Sequence, residues 1–151
     1  MTPRRRTRRA DRGAELIELA IVLPILLLVV AAIIDFGFLF QRYESVTNAA
    51  REGARVAVLP NYTTQDVIDR VNNYLAASGL TDPTAPAPTV TYTTETLSSG
   101  FTVDVATVVV QYPANLNYLG PIAALIGGTQ RASILLRAAS VMRTETAMGG
   151  S

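Results

Sequence analysis

Residues 19–34 run for sixteen positions without a charge or a hydrogen-bonding side chain, immediately behind a leader in which six arginines fall within residues 4–12. As a helix this run reaches ~24 Å, short of a hydrocarbon core of ~30 Å. Taking in Leu16 and Ile17 on one side and Phe36 to Phe40 on the other gives twenty-five residues, interrupted only by Glu18 and Asp35. That length as helix is ~37 Å, enough to cross a bilayer. Pro24 inside the run removes one backbone hydrogen bond and bends or loosens the helix locally.

A cleaved secretory signal competes with a retained anchor, because Val30, Ala31 and Ala32 form a small-residue triplet after an apolar stretch. The apolar character continues through Ile33, Ile34, Phe36, Phe38, Leu39 and Phe40, which favours the anchor. Charge then sets direction. Residues 1–13 carry six arginines against Asp11, a net +5, while residues 14–151 carry seven arginines against eleven acids, a net −4. By the positive-inside rule the leader is cytoplasmic and the remainder extracytoplasmic. An arginine cluster can also be a nucleic-acid arm, but no aromatic residue interleaves this one and a span follows at once, so no nucleic-acid partner is expected.

Glu18 lies near the head of the apolar run, where a carboxylate is costly unless it is paired or close to the interface. A structural account is available, since the positive end of the helix dipole favours an anion there. Its placement five residues after Gly13, in the string RGAELIEL, adds a functional one. Residues 12–58, with Gly13, Glu18, Pro24, the IIDFG step and NAAREGAR in order, resemble the TadE-like minor pseudopilins of the tight-adherence (Tad, or Flp) type IV pilus system. Leu19 departs from the aromatic residue often found after the Glu in that superfamily. The resemblance implies a prepilin peptidase that cuts between Gly13 and Ala14, other pilin or pseudopilin subunits and Tad assembly machinery as partners, and Glu18 as an assembly residue facing the freed amine of a neighbour. It implies a pilin-like subunit acting in pilus assembly and possessing no enzymatic activity. The rival reading is an uncleaved, membrane-anchored surface binding module.

Beyond the span no proline intervenes before Pro60, so the helix is expected to continue to about residue 59. At about 100° per residue, Glu44, Asn48, Arg51, Glu52 and Arg55 share one face, while Val46, Ala50, Gly53 and Ala57 form an unusually small face opposite. The small face permits close packing, on the chain's own sheet in preference to another helix. A second helix is expected over 64–78, capped by Thr63 with Asp66 and ended by Gly79, with Asp66 and Arg70 as a surface pair. The proline-rich 81–88 reads as a stiff connector, followed by strands over 89–96, 101–112 and 132–143. Phe101, Val103, Val105, Thr107 and Val109 share a strand face, and Arg137 and Arg143 lie opposite Ile134, Leu136 and Met142. Between the last two strands a short helix starting at Pro121 is expected across the sheet end. Burial of its Leu119, Ile122, Leu125 and Ile126 is favoured over contact with membrane or another subunit.

The absence of His and Cys removes thiol chemistry, the usual metal ligands and the commonest general base. Asp104 has no such group to act beside and reads as an outward-facing charge. No catalytic, cofactor-binding or metal site is expected, and no small-molecule substrate. The expected architecture is α+β: a basic cytoplasmic leader over 1–13, a transmembrane helix over 14–40, and an extracytoplasmic domain over 41–151 with a second helix and a three-stranded antiparallel sheet. Pilus association would follow processing.

Overall fold

The computed structural model describes residues 7–96, 100, 102–124 and 133–144. The elements run α1 (Thr7–Ala57), α2 (Thr64–Ala77), β1 (Thr89–Thr96), β2 (Thr102–Asn115), α3 (Leu119–Ala124) and β3 (Ser133–Arg143). The class is α+β, as the sequence predicts. Two compact units divide the chain, one of Met1–Gly37 with Leu116–Ala132 and one of Phe38–Asn115 with Ser133–Ser151.

In the second unit the strands pair in the order β1-β2-β3, antiparallel throughout. The register runs from Thr89 opposite Val109 to Thr96 opposite Thr102, and from Val105 opposite Arg143 to Asn115 opposite Ser133. Alternation does the rest: Ala106, Val108, Val110, Tyr112 and Ala114 of β2 point to one face and are buried, together with Leu136 and Ala138 of β3. Val46, Ala49, Ala50, Ala54, Val56 and Ala57 of α1 close over that face with Val67, Val71 and Leu75 of α2. Val103, Val105, Thr107 and Val109 share the opposite face, where only Val105 is buried; Phe101 lies outside the described residues. Arg137 and Arg143 project away from Leu136 and Met142, with both guanidiniums on exposed residues.

The strand expected to stop at Tyr112 continues to Asn115 through Pro113. β1 pairs only as far as Val109, so among the described residues β2 has a free edge from Val110 onward, the setting in which a strand tolerates a proline. Leu97 to Ser99, the expected turn between β1 and β2, lie outside the described residues.

α2 begins with a full capping box. Thr63 Oγ1 accepts from the Asp66 amide at 3.3 Å, and Asp66 Oδ2 accepts from the Thr63 amide at 2.7 Å. The helix closes on Gly79, whose φ of 75° is open to glycine without strain, with bonds from the Gly79 amide to Ala76 O and from the Leu80 amide to Leu75 O. Asp66 is thus committed to the cap and does not pair with Arg70. Arg70 instead crosses to Glu52 of α1 at 2.7 Å.

Candidate membrane-anchoring and assembly site

α1 is a single 51-residue helix, and Pro24 lies inside it. The part from Gly13 to Ala57 is long and apolar enough to cross a membrane; its most apolar window has a mean hydropathy of 3.0 and is only 6% buried. Leu16, Ile21, Ile25 and Ile33 each leave more than half of their surface uncovered. Large aliphatic side chains exposed around a whole helix need an apolar medium, so this helix supports a single-pass membrane anchor.

Gly13, Ala14 and Glu18 sit near the start of this stretch, each exposed. A Cβ built on Gly13 meets nothing within 4 Å. The helical spacing puts Ala14 and Glu18 on one face, four residues apart.

Farther along α1 the small face is buried in the second unit: Val46 at 0%, Ala50 at 1% and Ala57 at 8% exposure, with Gly53 also buried. Ala49, Ala54 and Val56 widen this face beyond the four positions singled out in the sequence. On the other side of the helix, Glu44, Asn48, Arg51 and Arg55 are exposed. Glu52 is the partly buried member, with 19% of its side chain accessible. Its carboxylate accepts from Arg55 at 2.8 and 3.0 Å and from Arg70 at 2.7 and 3.0 Å. Those hydrogen bonds, Arg55 first, hold the Glu52 carboxyl down at about 2.

The first unit contains the residue that sequence reasoning passed over. Asp35, counted above only as a break in the apolar run, is 3% exposed. Its Oδ1 accepts from the amides of Asn117 (3.0 Å) and Tyr118 (3.2 Å), and its Oδ2 from those of Tyr118 (3.0 Å) and Leu119 (2.6 Å). Three consecutive backbone donors entering α3 are thereby satisfied by one side chain of α1. This corrects the expected position of the short helix. It starts at Leu119, two residues before Pro121, and its leading amides are held by Asp35 of α1. Leu119 and Ile122 are half-buried; Leu125 and Ile126 lie outside the described residues. The available signal was an acid set in an apolar helix, which must find donors from somewhere.

Asp104 is exposed and accepts from the Thr94 hydroxyl at 2.6 Å, a cross-strand bond between β1 and β2. A polar, open cleft of the second unit is lined by Arg42, Asp82, Tyr112 and Asn115 among others. Several polar groups of this cleft are engaged in holding the fold. Arg42 donates to Asn115 O at 3.2 Å, the Tyr112 hydroxyl accepts from the Asp82 amide at 3.1 Å, and Asp82 Oδ1 accepts from the Thr84 amide and hydroxyl. Among the described residues, no group of three or more His, Cys, Asp or Glu could hold a metal ion.

A long exposed apolar helix in an α+β chain is the layout of a membrane-anchored protein. The family model for TadE-like proteins matches residues 13–55, a stretch that begins at Gly13 and takes in Val46, Ala50 and Gly53 of the small face. This bears out the resemblance and points to the Tad pilus system. No match was found among curated proteins or among solved structures.

Proposed function

We propose that this chain is a non-enzymatic minor pilin-like subunit that takes part in Tad (Flp) pilus assembly. The observation that carries the reading is the TadE-like match over residues 13–55, which takes in Gly13, Ala14, Glu18, Val46, Ala50 and Gly53, all of them on α1. A prepilin peptidase cuts between Gly13 and Ala14. The freed amine of Ala14 is a cation in an apolar setting and needs an anionic partner, which Glu18 of a neighbouring subunit supplies. Loss of the leader changes the net side-chain charge from +1 to −4 and removes the arginines that hold the amino terminus at the cytoplasmic surface. The second unit, seated on Val46, Ala50, Gly53 and Ala57, is the extracytoplasmic part.

Sequencing the amino terminus of the mature protein from pilus-producing cells tests the reading. Ala14 is expected. Met1 or Thr2, in cells that process their other pilins, would turn the assignment to the uncleaved anchor, and Ile33 would turn it to a secreted protein.

A further inference from the structure

Asp35 stands seventeen residues beyond Glu18, ~25 Å along a helix and less than the ~30 Å hydrocarbon thickness. One of the two carboxyl groups therefore lies below a membrane boundary. Toward the amino terminus, Glu15 and Arg12 follow within six residues of Glu18, whereas past Asp35 the chain stays apolar through Phe36, Phe38, Leu39 and Phe40. Asp35 is the group at depth.

Water does not reach that level to satisfy a carboxyl group, so its donors must come from protein. They come from the amides of Asn117, Tyr118 and Leu119, which belong to the same unit as Asp35. The donors must share the depth of the acceptor. Around Asp35, the exposed Ile33, Ile34 and Phe36 mark the surrounding medium as hydrocarbon or its boundary. The segment that carries the donors suits the same medium: from Val105 to Gln130 there is no charged residue, and α3 presents Pro121 outward with Ile122 half-covered.

We infer that α3 is a membrane-embedded element, lying in the bilayer boundary at the Asp35 end of the span with lipid acyl chains as its partner, and that Asp35 is the positioning residue that holds it there. This goes beyond a single-span anchor, because a second part of the chain, eighty residues later, enters the same lipid layer. It rests on the anchor and is independent of pilus assembly.

The chain has no cysteine, so single spin labels can be placed on the full-length protein in phosphatidylcholine vesicles. Labels at Ile122→Cys and at the exposed Pro121→Cys are compared with Ile25→Cys in the span and Tyr62→Cys in an exposed loop. Collision with oxygen, which concentrates in lipid, is measured against collision with a water-soluble nickel chelate. The oxygen-to-chelate ratio at 121 and 122 is expected to exceed that at 62 several-fold, approaching that at 25. Ratios at 121 and 122 equal to that at 62, with 25 still oxygen-dominated, would overturn the inference and leave the anchor standing. Shielding of both labels from both reagents would also overturn it, since protein and not lipid would then cover α3. Chelate access at position 25 as well would remove the anchor and the inference together.

Discussion

Gly53 of α1 lies so close to Val71 of α2 that a Cβ at position 53 would stand 2.5 Å from Val71 Cγ2 and 3.1 Å from Val108 Cγ1 of β2. Val71 and Val108 are both fully buried and hemmed in by the same core, so neither has room to retreat. Gly53→Ala should therefore destabilise by ~1–3 kcal/mol despite its gain in helix propensity, and Gly53→Leu by more. Arg51→Gln, on the exposed face of the same helix, should stay within ~0.5 kcal/mol. Thermal unfolding of the detergent-solubilised protein compares them; equal tolerance at both positions would mean that this close approach does not form.

Removing the Asp35 carboxyl leaves three amides without their acceptor. Asp35→Ala is expected to cost ~1–3 kcal/mol in local stability, and Asp35→Asn to fall short of restoring it because an amide nitrogen replaces one acceptor. Hydrogen exchange at Asn117, Tyr118 and Leu119 should accelerate in both variants, while amides of α2 keep their protection. Unchanged exchange at 117–119 would show that the three donors find other partners.

Glu52 ties α1 to α2 through Arg55 and Arg70, and its carboxyl is held at about 2 against an ordinary value of 4.5. A lowered folded-state value means that the ionised group stabilises the fold above pH 4.5, and that this contribution fades as pH falls toward about 2. Both arginines are more than half exposed, so solvent screening keeps the effect to about 1 kcal/mol or less. Glu52→Gln should lower stability at neutral pH and flatten its dependence between pH 4.5 and 2; a parallel curve would assign that acid sensitivity to other groups.

Glu18→Ala separates processing from assembly. On the proposed processing the scissile bond follows Gly13, five residues away, so intact mass should still report cleavage, whereas crosslinking to pilus subunits should fall if Glu18 partners the Ala14 amine. Gly13→Leu should block cleavage and keep the full mass in the membrane fraction. Normal crosslinking by Glu18→Ala would leave the carboxyl with a purely interfacial, structural role.

Much of the fold was legible because its signals are local. Thr63, Asp66 and Gly79 fix the ends of α2 within a few residues, and the two-residue alternation of Val103, Val105, Thr107 and Val109 marks a strand whatever it packs against. The small face at 46, 50, 53 and 57 was readable from helical period alone. The partners of Asp35 were not, because its acceptor function is completed by backbone amides 82 to 84 residues away, and amides carry no residue-type signature. For the same reason local punctuation points to Pro121 as the start of α3, whereas the helix begins at Leu119 with its leading amides satisfied by a distant side chain. Spacing pairs Arg70 with Asp66, but the capping box takes that carboxylate and Arg70 bonds to Glu52 of α1.

Pro113 also bears on what the protein avoids. Beyond Val109 β2 offers an unpaired rim among the described residues, and bare strand rims recruit other chains into continuous ladders. A residue without an N–H interrupts any ladder laid along that rim and crowds an incoming strand with its ring. Strand addition is thereby blocked along this stretch of β2, and any such pairing is confined to the outer edges of β1 and β3 among the described residues.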